Sequence, residues 1–218
     1  MSRSILAAFA LGSALLLTAP IQAQKAQAPA LPGSKSTAAV TGGTYQADPG
    51  HTLVRWTVDH FGFSPYTGLF GGVTGTLELD PKNPAGAKVD VTIPVSGITT
   101  ANAALTAHLL RAPKEAGGKP DFFGAEPAPA RFVSTRVVVT GKDRGRITGN
   151  LTLNGVTKPV TLDATFYGAG KAPAMMGGKE NVGFTARGTI LRSQLGVAYG
   201  IPMVSDAVQL EIAAAFVK

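Results

Sequence analysis

His51-Thr52-Leu53-Val54-Arg55-Trp56-Thr57-Val58-Asp59-His60 is the stretch that decides the fold class. Val54, Trp56 and Val58 share one parity while Arg55, Thr57 and Asp59 hold the other, the period-two pattern of a strand with one dry face. His60 closes the run on the dry parity, and Phe61-Gly62-Phe63-Ser64 then breaks it at a hairpin.

The same alternation recurs down the chain. Gly68 to Leu79 reads as a second strand, glycine-rich enough at Gly68, Gly71, Gly72 and Gly75 to require bulges and sharp curvature. Asp80 to Pro84 is a turn, and Ala87 to Val95 follows with Val89, Val91, Ile93 and Val95 on its dry side. Further strands are expected over Arg131–Thr140, Gly145–Leu153, Lys158–Tyr167, Asn181–Ser193 and Asp206–Val217. Their apolar positions run Ile147/Leu151/Leu153, Val160/Leu162/Ala164/Phe166, Phe184/Ala186/Ile190 and Val208/Leu210/Ile212/Phe216. Asn154-Gly155 joins two of them as a hairpin turn, since both residues tolerate positive φ. Only Thr99 to Leu110 changes to helical spacing, with Thr100 or Asn102 as its cap.

Eight amphipathic strands must bury their apolar faces in common. A closed antiparallel barrel does so and removes the edges, and a two-sheet sandwich satisfies the same pattern. Small residues on the dry faces (Gly149, Ala164, Ala186, Gly188, Ala214) leave room inside an eight-stranded barrel for one small ligand.

The N-terminus reads as a cleavable signal peptide over residues 1–23: Arg3, an uncharged apolar run from Ile5 to Leu17, then small residues. That run is shorter than the roughly 18 residues a membrane helix needs. Residues 24–43, rich in Ala, Pro, Ser and Gly, are expected to be a flexible leader, and residues 44–218 a single barrel domain. The chain has no cysteine, which excludes disulfides, a lipidated-cysteine anchor and thiol chemistry. Its formal charge is +7, from 20 Lys+Arg against 13 Asp+Glu. The basic residues are scattered; the densest group, Lys142, Arg144 and Arg146, lacks interleaved aromatics and reads as a solvated turn. Nucleic acid is therefore not an expected partner, whereas long-range charge permits transient contact with an anionic membrane surface. A homodimer is left open.

Catalytic motifs are scarce. There is no nucleophile elbow, paired-histidine zinc helix or phosphate-binding loop, and no cofactor or metal is expected, because His51, His60 and His108 are far apart in sequence. His51, just after Asp48-Pro49-Gly50, is expected to hydrogen-bond that loop. His60 reads either as a satisfied core histidine or as a lumen group facing a ligand's polar head, and His108 divides in the same way. Arg192 continues the dry parity of Ile190, and an unpaired buried guanidinium would cost several kcal/mol. Its partner is Asp206, a backbone carbonyl or a ligand.

Several separated motifs together resemble the YceI-like family of periplasmic proteins, over about residues 44–218. They are Tyr45-x-x-Asp48-Pro49-x-His51-Thr52; Val54-x-Trp56-x-Val58-x-His60 with Gly62, Ser64 and Gly68-x-Phe70; and Ile98-x-Thr100-x-Asn102 with His108-Leu109. Downstream lie Phe122-Phe123, Phe132, Gly149-x-Leu151-x-Leu153-x-Gly155-Val156-Thr157-Lys158-Pro159-Val160, and Arg192-Ser193-x-Leu195-Gly196-Val197 through Ser205-Asp206. The resemblance implies an all-β, eight-stranded antiparallel, lipocalin-like barrel with one short helix, exported to the periplasm. It further implies a non-enzymatic carrier or buffer holding a long-chain isoprenoid lipid, such as an isoprenoid quinone or a prenyl phosphate, in its lumen. Residues expected to contact that ligand are Val54, Trp56, Val58, His60, His108, Phe122, Phe123, Leu162, Phe166, Phe184, Ile190, Arg192, Leu210 and Ile212. The alternative is an enzyme acting on a prenyl lipid through His60, His108 and Arg192. Two departures from the family pattern touch the lumen's polar end: Leu105-Thr106 replaces an Arg-Asp pair before the helix histidine, and Arg111–Pro120 is inserted ahead of the phenylalanines.

The mature protein should begin near Gln24 or Pro29 and be recovered from the periplasm without lipid modification, as N-terminal mass spectrometry would show. Recovery of a membrane-integral chain starting at Met1 would overturn the signal-peptide reading.

Overall fold

The computed structural model describes residues 30–218, and the expected signal peptide lies outside them. Eleven strand segments form one antiparallel sheet: β1 (Gly43–Ala47), β2 (Leu53–His60), β3 (Ser64–Phe70), β4 (Thr74–Leu79), β5 (Lys88–Ile93), β6 (Thr99–Thr100), β7 (Ala130–Gly141), β8 (Arg144–Leu153), β9 (Val156–Lys171), β10 (Glu180–Leu191) and β11 (Ala207–Val217). Sandwich and barrel are distinguished by the last strand. β11 pairs with β10 on one edge, and on the other with β2 (Ile212↔Val54) and β1 (Phe216↔Ala47), so the sheet closes.

The register reduces eleven segments to eight strands. β1 faces β4 as Gly43↔Leu79 and β2 faces β3 as Val54↔Phe70, so β1–β2 and β3–β4 are two long strands, each interrupted once. The third strand is likewise broken, because β5 faces β4 (Thr74↔Thr92) while β6 faces β3 (Gly68↔Thr100). The single strand expected over Gly68–Leu79 is thus two segments separated by Gly71-Gly72-Val73, where Gly72 has φ +69°. Pro94, which cannot donate to a ladder, starts the break in the third strand. Gly68 is required for another reason: a Cβ there would enter the Trp56 indole, its cross-strand partner, and lie 2.8 Å from the Thr99 carbonyl. The Asn154-Gly155 turn has the expected positive φ values, 50° and 74°.

The helix is shorter than its pattern suggested: α1 covers Ala103–Leu109, and Thr99–Thr100 has joined the sheet. Asn102 caps it, its side-chain oxygen accepting from the Leu105 N–H at 3.1 Å. α1 lies where β6 and β7 do not pair, and its apolar face covers Trp56, Val58, Ile98 and Val208, with Phe122 and Phe123 alongside. That end of the barrel is closed. Outside, cross-strand pairs such as Arg131–Asp90 and Arg146–Asp163 face solvent, while the inner parity is apolar. A membrane-spanning barrel has the opposite polarity.

From Ser34 onward the leader expected to be flexible over residues 24–43 is tied to the barrel. Ser34 forms an isolated antiparallel bridge to Ala169, with N–O distances of 3.0 and 2.9 Å, and Val40 is buried in the core. Thr41 is held by Glu180, whose carboxylate accepts from its N–H (2.9 Å), its hydroxyl (2.8 Å) and the Tyr45 hydroxyl (2.5 Å). Glu180 is 7% exposed and Tyr45 fully buried. Burial alone would raise the Glu180 pKa, but the Tyr45 and Thr41 hydrogen bonds and the Lys218 charge together hold it below its ordinary value of 4.5. The stabilisation is therefore present at neutral pH, above the unfolded-state value, and is lost as pH falls through the lower folded-state value. Glu180→Gln should cost about 1 to 3 kcal/mol at pH 7 and flatten the acid limb of the stability curve in denaturant titrations below pH 4.5. An unchanged acid limb would show that the carboxylate does not carry this linkage.

Candidate ligand cavity

Because α1 closes only one end, the inward side chains enclose a cavity of about 420 Å³ that opens at the other. Its walls are apolar: Phe70 and Leu77 from the broken second strand, Val89, Val91 and Ile93 from β5, Phe132 and Val137 from β7, Ile147 and Leu151 from β8, and Ala214 and Phe216 from β11. Small residues keep it open: Ala164 and Ala186, paired neighbours on β9 and β10, leave one stretch of wall without large side chains. Gly149 instead admits the Phe132 ring, which lies over it closely enough that a Cβ would overlap it. Thr52, on the lining, spends its hydroxyl on the Ala215 backbone, donating to the carbonyl at 2.9 Å and accepting from the N–H at 3.1 Å. A cavity with this lining stays dry unless an apolar molecule enters.

Seven of the expected ligand-contacting residues line this space: Val54, Leu162, Phe166, Phe184, Ile190, Leu210 and Ile212. Phe166 and Phe184 meet edge to face across β9 and β10, ring centres 5.7 Å apart. Trp56, Val58, Phe122 and Phe123 do not; they pack in the cluster that closes the blind end. The β5 and β7–β8 walls were absent from the expected set although β5 and β8 carry the same alternation.

The three polar residues are placed elsewhere, each for a physical reason. His60 is exposed, its ring edge to face with Phe61 at 4.6 Å, because the hairpin carries the end of β2 beyond the core. It is neither a core histidine nor a lumen group. His108 turns outward on α1 to Asp121 (Nε2–Oδ2, 2.7 Å), which also accepts from Arg111 Nη2 at 2.7 Å. These two hydrogen bonds hold the Asp121 carboxyl below the usual carboxylate range and fasten the inserted loop's two ends to the helix.

Arg192 is buried, 6% exposed, but has left the sheet for a 3-10 turn (Arg192–Leu195). Its guanidinium donates to four carbonyls: Ser205 from Nε (2.8 Å), Val197 and Tyr199 from Nη1 (3.1 and 2.8 Å), and Val204 from Nη2 (2.8 Å). Of the three partners left open, backbone carbonyls hold it. Asp206 instead accepts from the Ser193 N–H and hydroxyl at 2.8 and 2.7 Å. The group organises the 192–206 loop, and the trio required by an enzymatic reading is not assembled at the cavity. His51 bonds Asp48 as expected (2.7 Å).

The missed residues are at the open end. Lys142, Asp143 and Arg144, in the β7–β8 turn, are the charged residues on the lining, together with Thr37, Pro81 and Pro84 around the mouth. A basic turn between two amphipathic strands carries no sign in sequence that it borders a lumen.

The fold and cavity can be set beside known proteins. The chain is 40% identical over 163 residues to Protein YceI of Escherichia coli, covering 74% of this chain and 79% of that one. The crystal structure of the Campylobacter jejuni YCEI protein is similar with a TM-score of 0.58 and 29% identity, over 73% of this chain and 89% of that one. A polyisoprenoid binding domain from Saccharophagus degradans shares the fold at a TM-score of 0.55 and 12% identity, over 79% of this chain and 97% of that one. The YceI-like domain model matches residues 45–216, and the chain belongs to that family.

Proposed function

We propose that this protein holds a long-chain isoprenoid lipid in its lumen and acts in the periplasm as a carrier or buffer for it. The observation that carries the reading is the 420 Å³ cavity, apolar along its walls, blind at one end and open at the other. Such a space takes a long run of methyl-branched apolar carbons, and its charged side chains, Lys142, Asp143 and Arg144, stand at the mouth rather than along the walls. The structural likeness to a domain described as polyisoprenoid binding supports the chain type, and the apolar N-terminal run supports export. At about 0.3 kcal/mol per heavy atom, a tail of roughly 25 buried atoms gives about 7 kcal/mol, an affinity near micromolar. That strength suits a protein that must release as well as hold.

Native mass spectrometry of protein purified from the periplasm without detergent should reveal a bound lipid, and extraction should return an isoprenoid chain chemically unchanged. Ala214→Phe, which fills the lumen from β11, should lower chain affinity at least tenfold while the melting temperature stays within a few degrees. Ile212→Asp should damage both binding and folding, since it places a charge on the inner face. Full affinity in a stably folded Ala214→Phe variant would remove the lumen as the binding site.

A further inference from the structure

The lining is polarised along its length, and this fixes the direction of an amphiphile inside it. Resting on the lumen-binding reading above, we infer that the lipid enters tail first and that Lys142 and Arg144 at the mouth select an anionic headgroup, a phosphate or a diphosphate. A polar head carried inward would lose its water and meet only side-chain carbons, at a cost of several kcal/mol. Thr52, the polar side chain deeper in the lining, is already committed to Ala215 in both directions. Trp56 Nε1 and Tyr66 Oη lack partners among the described residues, but both belong to the cluster behind the blind end and neither lines the cavity.

At the mouth the chemistry is different. Lys142 makes no side-chain hydrogen bond or ion pair among the described residues, and Arg144 reaches Asp143 only at 3.9 Å, Nε to Oδ1. Asp143 subtracts from the positive field, and its backbone carbonyl accepts from the Phe166 N–H at 2.7 Å, which fastens the turn to the rim beside a lumen phenylalanine. Both cations are solvated, so each contributes the modest amount of an exposed ion pair, and two acting on one phosphate amount to about tenfold in affinity. Selectivity, rather than gross affinity, is what this arrangement supplies.

The test uses the full-length mature protein, stripped of lipid, with two probes of identical tail: geranylgeranyl monophosphate and geranylgeraniol. The phosphate should bind about tenfold more tightly at low salt, and the gap should narrow at high salt. In a Lys142→Gln/Arg144→Gln variant the gap should close to within about twofold with geranylgeraniol affinity unchanged, whereas Asp143→Asn should widen it. Lys158→Gln, at the far end of β9, controls for net charge and should leave the gap intact. Equal affinities in the wild type, or a gap that survives the double substitution, would overturn the headgroup assignment while leaving the lumen reading standing. If neither lipid binds, the lumen reading itself fails. Displacement of geranylgeranyl monophosphate by millimolar inorganic phosphate, with geranylgeraniol retained, would show a free-anion site and also overturn the assignment.

Discussion

Closure of the sheet by β11 is the constraint on which the rest depends. With β10 on one edge and β1–β2 on the other, it closes the sheet into a barrel whose unpaired edge is confined to the seam beside β7, and it turns the inner side chains toward one space. Long strands close this way only if they coil, and three neighbouring strands here are interrupted in consequence: at Asp48–Thr52, at Gly71–Val73 and at Pro94–Ile98. The third interruption draws β6 away from β7, and α1 with Phe122 and Phe123 fills the opening. A blind end and an open end follow from one topological requirement.

Charge is distributed to match. Arg192 is held by four carbonyls and Asp121 by His108 and Arg111, so these ionisable groups at the blind end hold loops rather than ligands. Glu180 anchors the residues that precede β1 to the β10 strand. Apart from the Thr52 hydroxyl, which is committed to the Ala215 backbone, what remains on the lumen is carbon, up to the turn that carries Lys142, Asp143 and Arg144. Binding by such a lumen is a matter of area and fit, with electrostatics confined to the rim.

Period-two alternation was enough to identify β2, β5 and β8–β11 and to assign Leu162, Phe166, Phe184, Ile190, Leu210 and Ile212 to the inner face. It fails where the geometry that gives parity its meaning fails. β1 offers only Tyr45 and Ala47 as dry residues, too few to register as a period, and it is recognised as a strand by its partners β4 and β11. His60 and Arg192 hold the dry parity in sequence, yet one lies where the hairpin leaves the core and the other where the chain has turned out of the sheet. Residues 24–43 read as a flexible leader because small residues and proline have no periodicity, while the attachment of Ser34 and Thr41 rests on backbone and side-chain hydrogen bonds to Ala169 and Glu180. Nor does composition distinguish a basic turn at a lumen's mouth from any other solvated turn.

The most direct measurement is a crystal structure of the protein purified from the periplasm without delipidation. Continuous density for a branched apolar chain, running from the rim at Lys142 and Arg144 past Phe166 and Phe184 toward Ile190 and Leu210, is the expected result. A lumen containing only ordered water, or one closed by inward rotation of its own side chains, would contradict the account.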